Sequence, residues 1–163
     1  MATAVYPGSF DPITNGHLSL IRRGLAIFDK IIVAVAINPA KRSLFTVEER
    51  VDIIREVLKD EPCIEVDSFR GLTVEYTRQR KADAILRGIR AMSDFENEFQ
   101  LALMNRRLNR EIQSVFLMTD YKWFYISSSL IKEVASLGGD IKGMVPKIVC
   151  ERLAEKFSQL NKA

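Results

Sequence analysis

The sequence predicts an α/β fold, an open parallel sheet with helices on both faces. Three observations predict it. Short strand-like runs alternate with helical patterns along the 163 residues. Residues 31–37 form a continuous apolar, β-branched run, as in a strand buried on both faces. The segments rich in Gly, Ser, Lys and Arg follow strands or open helices, where such sheets bind ligands.

The elements read in order as follows. A first strand ends at Val5-Tyr6. The segment Pro7-Gly8-Ser9-Phe10-Asp11-Pro12-Ile13-Thr14-Asn15-Gly16 then leads to His17, the chain's one histidine. His17 starts a helix with Leu18, Ile21, Leu25 and Phe28 on one face. Residues 31–37 are the second strand, and Thr46-Val47-Glu48-Glu49 has capping-box spacing before a helical face of Val51, Ile54, Val57 and Leu58. Residues 64–66, 84–86 and 115–118 are the remaining strands. Ser93-Asp94-Phe95-Glu96 repeats the capping-box spacing and opens a helix striped by Phe95, Phe99, Ala102 and Leu103. Ile126-Ser127-Ser128-Ser129 opens another, with Leu130, Ile131, Val134 and Leu137 on its apolar face and Gly138-Gly139-Asp140 as its stop. Pro146 marks the first turn of the last helix, which buries Val145, Val149 and Leu153. No repeat, low-complexity segment or long linker interrupts residues 1–163, which read as a single domain.

Composition narrows the function. At 47% hydrophobic and 28% charged, the chain is ordinary for a globular protein. No apolar run is long enough to span a bilayer, and no secretory signal is visible, so a cytoplasmic location without membrane contact is expected. A net charge of +3 does not call for nucleic acid, although it suits a phosphate-rich small substrate. Cys63 and Cys150 fit no metal spacing and read as buried, reduced thiols.

Several positions carry chemistry. His17 lies at a helix start, where unpaired N–H groups and the helix dipole welcome a phosphate, and Gly8 and Gly16 let the backbone approach one. An incidental surface histidine beside a glycine turn is the competing local reading. Lys41 follows the second strand and is either a solvated lysine or an anion ligand. Arg87-Gly88-Ile89-Arg90 follows the fourth strand, and its arginines suit either bidentate phosphate binding or ion pairs with Asp94 or Glu96. The serines at 127–129 are either a helix cap or phosphate donors. Asp11 is expected to fix its own loop through Asx-type hydrogen bonds. Trp123, Phe124 and Tyr125 are core residues by default, and Lys132 either reaches phosphates or sits on the helix surface.

Thr14-Asn15-Gly16-His17 resembles the T/H-x-G-H signature of the nucleotidyltransferase superfamily. The string Pro7 to Pro12 above, Asn38-Pro39-Ala40-Lys41, Arg87-Gly88-Ile89-Arg90-Ala91-Met92-Ser93-Asp94-Phe95-Glu96 and Ile126-Ser127-Ser128-Ser129-Leu130-Ile131-Lys132-Glu133-Val134 fall in one family's order. Nearly the whole chain is thereby similar to the bacterial phosphopantetheine adenylyltransferase family. The resemblance implies a Rossmann-like five-stranded nucleotidyltransferase sheet. It implies transfer of AMP from ATP to 4′-phosphopantetheine, giving dephospho-coenzyme A and pyrophosphate.

The resemblance also implies residue roles. His17, Lys41, Arg90 and Ser128 are the catalytic set. ATP is met by Ser9, Phe10, His17, Gly88, Ile89, Arg90 and Glu98, and by Trp123, Phe124, Tyr125, Ile126, Ser127, Ser128 and Ser129. The acceptor is met by Ser9, Lys41, Thr73 and Arg87. Mg²⁺ is expected with ATP, with no dedicated carboxylate cage for it, and a homohexamer is implied. The chain departs from the family at Asn97, commonly tyrosine, and at Phe124, often a small residue. Another acceptor, such as nicotinamide mononucleotide or glycerol phosphate, and a nucleotide-binding regulatory module are the competing readings. Lys41 with Arg87-Gly88-Ile89-Arg90 favours phosphopantetheine, and the intact His17, Lys41, Arg90 and Ser128 speak against the module.

Overall fold

The computed structural model describes residues 1–162. Five parallel strands form one sheet in the order β3-β2-β1-β4-β5. They are β1 (Thr3–Gly8), β2 (Lys30–Ile37), β3 (Ile64–Arg70), β4 (Ala84–Ile89) and β5 (Gln113–Met118). Between and after them lie α1 (Asn15–Gly24), α2 (Val47–Val57), α3 (Thr73–Gln79), α4 (Met92–Leu108), α5 (Ser128–Ser136) and α6 (Lys147–Lys162). The strand order reverses between β1 and β4, so the crevice beyond the carboxyl ends of these two strands is the switch point where ligands bind.

The central strands are buried on both faces, which explains their unbroken apolar runs. On one face Ala4, Tyr6, Ile31, Val33, Val35 and Leu86 pack against residues of α1, α2, α5 and α6. On the other, Val5, Ile32 and Ala34 meet Phe69 and Tyr76, while Val74 of α3 covers Ile85. Close approach of α1 to the sheet depends on two glycines. A Cβ on Gly24 would stand 2.8 Å from Ile31 Cδ1, and one on Gly88 would stand 2.6 Å from Leu20 Cδ1.

Several boundaries differ from the sequence reading. β1 runs to Gly8, because the ladder to β2 continues through Pro7↔Ala34 and Gly8↔Val35. Likewise Arg87, Gly88 and Ile89 do not follow β4 but end it, paired with Phe116, Leu117 and Met118 of β5. β3 extends to Arg70. Phe28 lies beyond α1 and is nonetheless in the core. Thr46 caps α2 with Glu49 in the expected reciprocal box. Ser93 caps nothing: the N-cap of α4 is Ala91, and Asp94 turns its carboxylate back to the Arg90 N–H at 3.2 Å.

The apolar stripe of α4 is not buried in the chain's own core. No residue of this helix is buried, and Phe95, Phe99 and Leu103 are exposed, with the two phenyl rings stacked at 5.7 Å. On α5 only Ile131 is buried, while Leu130 and Leu137 face out. That helix ends as expected. Gly138 takes φ +76°, its N–H reaches Ala135 O and the Gly139 N–H reaches Val134 O, a Schellman closure. Pro146 stands just before α6, its carbonyl accepting from Val149 and Cys150. Cys63 is exposed and Cys150 half-buried, so the expectation of two buried thiols fails at Cys63, which sits in the turn entering β3. No helix among the described residues is long and apolar enough to cross a membrane.

Candidate active site

A cleft of about 290 Å³ opens at the carboxyl ends of β1 and β4. Its walls come from the β1–α1 loop, the start of α1, the end of β4, α4 and the approach to α5. Thr14 is the N-cap of α1 and His17 its third helical residue. The Thr14 N–H donates to His17 Nδ1 at 3.0 Å, and Thr14 Oγ1 lies 3.0 Å from the same nitrogen. Since the Thr14 N–H can only donate, Nδ1 is an acceptor and the neutral ring carries its proton on Nε2. Burial pulls the His17 pKa down to about 4, and the positive charge of Arg90 adds to the effect. The imidazole is therefore a neutral hydrogen-bond donor at ordinary pH.

Phe10 holds that ring in place. Its backbone is left-handed, φ 45°, which turns the phenyl inward to 2% exposure and edge-on to His17 at 5.1 Å. The same ring explains Gly8: a Cβ there would stand 2.9 Å from Phe10 Cζ. Gly8 thus makes room for a side chain of the protein, and it also lines the cleft. At Gly16 an added Cβ meets only ordinary contacts.

Two ion pairs line the cleft. Arg87 Nε donates to Glu98 Oε2 at 2.6 Å, Nη2 donates to Oε1, and Nη1 donates to the Pro7 carbonyl at 3.2 Å. Burial opposes the Arg87 charge, but the hydrogen bonds to Glu98 outweigh it and raise the guanidinium pKa. Arg90 Nε donates to Asp94 Oδ2 at 3.1 Å and Nη1 donates to the Ile126 carbonyl at 3.2 Å. Burial works against the Asp94 charge, yet the hydrogen bond from Arg90 wins and lowers its pKa. Burial pushes the Tyr6 phenol up, against the pull of Arg87. The ion-pair reading of Arg90 thus holds, with Asp94 as the partner and not Glu96.

Two of the three serines are already engaged. Ser127 Oγ accepts from the Leu130 N–H at 3.1 Å as the N-cap of α5, and Ser128 Oγ donates to the Pro12 carbonyl at 2.7 Å. What α5 still offers an anion is its first-turn backbone N–H groups and the positive end of its dipole.

Of the residues expected at the site, Phe10, His17, Arg87, Gly88, Arg90, Glu98, Trp123, Ile126, Ser127 and Ser128 line this cleft. Ser9, Ile89 and Ser129 belong to the same segments but not to its lining, and Phe124 and Tyr125 are exposed beside it instead of in the core. Lys41 stands apart, exposed on a β2–α2 loop turned by Asn38, whose Oδ1 accepts from the Ala40 N–H at 3.0 Å. Thr73 lines a smaller neighbouring cavity of about 60 Å³, which shares Pro7, Arg87 and Glu98 with the main cleft. Sequence reasoning missed Tyr6, Leu20, Asp94 and Thr119 as lining residues. Only Asp94 carried a signal, as a named partner for Arg90. Asp11 makes no Asx turn; it bonds to Leu44, Phe45 and Lys132, and Lys132 thereby meets a carboxylate on the inner side of its helix. Among the described residues, no group of three or more His, Cys, Asp or Glu side chains is placed to hold a metal ion.

Comparison with known proteins identifies the family. Residues 5–134 match the cytidylyltransferase-like family. The phosphopantetheine adenylyltransferase of Syntrophus aciditrophicus is 61% identical over 159 residues, covering 98% of this chain and 96% of that protein. The enzyme of the same name from Desulfosudis oleivorans is 61% identical over 157 residues, covering 96% and 94%. That of Caldanaerobacter subterraneus is 55% identical over 159 residues, covering 98% and 99%. With the parallel sheet, the capped histidine and the paired arginines in place, the chain belongs to the phosphopantetheine adenylyltransferase family.

Proposed function

We propose that this protein transfers AMP from ATP to 4′-phosphopantetheine, releasing pyrophosphate and forming dephospho-coenzyme A. The observation that carries the chemistry is the tautomer of His17, an Nε2–H donor fixed at the mouth of α1 in a cleft lined by two arginines. An acceptor phosphate oxygen attacks the α-phosphorus in line, and the bond to the leaving pyrophosphate breaks. The His17 donor meets the charge that grows on the α-phosphate. No residue becomes covalently attached, so the protein's work is to place two anions and stabilise one transition state.

Ser9, Phe10, Gly88, Ile89, Arg90 and Glu98 serve the nucleotide, with residues 123–129 completing its site. The N-terminus of α5 meets its outer phosphates. Ser9, Lys41, Thr73 and Arg87 serve the acceptor. Lys41 lies on an exposed loop, from which a long flexible side chain can swing to a bound phosphate. Magnesium arrives with ATP as part of the substrate, since the cleft's Asp94 and Glu98 are both committed to arginines. Action in the cytoplasm fits such soluble substrates.

The test is incubation with ATP and 4′-phosphopantetheine, with nicotinamide mononucleotide and glycerol phosphate in parallel, watching pyrophosphate and the adenylylated product. Product only with 4′-phosphopantetheine is expected; product only with another acceptor, or none at all, refutes the reading. Lys41→Ala is expected to raise the KM for 4′-phosphopantetheine, and Arg90→Ala to impair ATP use. Calorimetry checks this division, which fails if both variants lose the same ligand.

The chain assembles as a homohexamer in this reading. The exposed Phe95, Phe99 and Leu103 of α4 support an assembly, because an apolar stripe left uncovered in one copy suits burial against another. Light scattering at micromolar protein should give the hexamer mass, and Phe99→Asp should lower it. A monomer mass for the wild type contradicts the assembly.

A further inference from the structure

Asp11 stands at the meeting point of three segments and takes no direct part in the chemistry described above. It is 4% exposed. Its Oδ2 accepts from the Leu44 N–H at 2.9 Å and from Lys132 Nζ at 2.6 Å, and its Oδ1 accepts from the Phe45 N–H at 2.9 Å. Leu44 and Phe45 end the loop that carries Lys41 and lead into the Thr46 cap of α2. Lys132 lies one turn after Ser128 on α5. Asp11 itself sits between Ser9-Phe10 and the capped His17. Two neighbours reinforce the junction. Arg50, 5% exposed, donates to the Ser9 carbonyl at 2.8 Å and to the Thr46 carbonyl at 3.2 Å, and Ser128 Oγ donates to the Pro12 carbonyl.

We propose that Asp11 is a positioning residue of the transfer, holding the acceptor-binding loop and the nucleotide-binding helix in register with the His17 loop. The proposal rests on the adenylyl-transfer reading. Three donors meet this buried carboxylate, which does not line the cleft, so its contacts run to the protein's own segments. They also explain why an acid is required here. Two backbone N–H groups and an ammonium converge on one point, and only an ionised carboxylate accepts from all three with a charge that balances the lysine. In-line attack needs the two substrates aligned to a fraction of an ångström. Each substrate is held by a different one of the joined segments, so loosening the joint harms the reaction more than it harms binding of either substrate.

The variants are Asp11→Asn, Lys132→Met and Lys132→Arg. Each is compared with wild type for pyrophosphate release over both substrate concentrations, for ATP binding by calorimetry, for the pH profile, and for hydrogen exchange at the Leu44 and Phe45 amides. Asp11→Asn and Lys132→Met are expected to lose kcat about 100-fold, the scale of a misplacement near 1 Å, while the Kd for ATP stays within about threefold. Lys132→Arg should retain most of kcat, because it restores the cation. Amide exchange at Leu44 and Phe45 should accelerate in the first two variants, and the shape of the pH profile should not change. Should Asp11→Asn fail to fold, the Lys132 pair decides. Full kcat in Asp11→Asn or Lys132→Met, or loss of an acid limb, overturns the proposal. So does loss of ATP affinity in Lys132→Met with kcat kept, since Lys132 is then a phosphate ligand. A wild type that releases no pyrophosphate refutes the adenylyl-transfer reading itself, and unchanged amide exchange in Lys132→Met then overturns the joint separately.

Discussion

His17→Ala is expected to lower kcat by about 10²–10³-fold while weakening ATP binding far less. The imidazole is fixed as a donor before any substrate arrives, because Thr14 occupies Nδ1 and Phe10 backs the ring. A preorganised donor acts where charge develops, at the α-phosphate, and adds little to ground-state affinity. Steady-state kinetics with calorimetry separate the two effects. A variant with near-normal kcat, or one whose entire defect is in ATP affinity, contradicts the assignment. The same residue has a sign in stability. A histidine of pKa about 4 in the fold takes up a proton near 6.5 once unfolded. Between those values the unfolded chain binds the extra proton, so this contribution to stability is complete above pH 6.5 and is lost as pH falls towards 4.

Pantetheine, with a neutral hydroxyl in place of the phosphate, is expected to accept no AMP even at saturation. The cleft's two carboxylates, Asp94 and Glu98, are both committed to arginines, Asp11 holds three donors, and His17 Nδ1 already accepts from Thr14. Among the described residues lining the cleft, no free carboxylate or imidazole nitrogen remains to deprotonate a hydroxyl. A phosphomonoester needs none, since its second ionisation lies at about pH 6. The rate with 4′-phosphopantetheine should therefore fall as pH drops through that value. His17 contributes no limb there, being neutral down to about pH 4. Measurable adenylylation of pantetheine, or an acid limb that disappears in an Asp11 variant, would require a base that this arrangement lacks.

Much of this was legible in the sequence, and the reasons are local. His17 was legible as a helix start, and its contact with Thr14 across one helical turn came only with the structure. The apolar run of β2 announces a doubly covered strand. Strand ends were less legible, because Pro7-Gly8 and Arg87-Gly88 read as following their strands although the parallel ladder carries through both. The contacts of Asp11 were invisible for a different reason: its partners lie 33, 34 and 121 residues away, and only the folded sheet brings them together. The α4 stripe shows the limit of periodicity. Phe95, Phe99 and Leu103 announce an apolar face but not whether it packs on the chain's own sheet, and here it does not. Side-chain rivalry was equally hidden, as in the capture of Arg87 by Glu98 across 11 residues.

The central claim is direct, in-line attack of the acceptor phosphate on the α-phosphorus, with no adenylylated residue between. Turnover of one stereoisomer of α-thio-ATP with 4′-phosphopantetheine tests it, with the configuration at phosphorus read in the dephospho-coenzyme A analogue. A single displacement predicts inversion. Retention would mean two displacements through a covalent enzyme intermediate and would contradict the account.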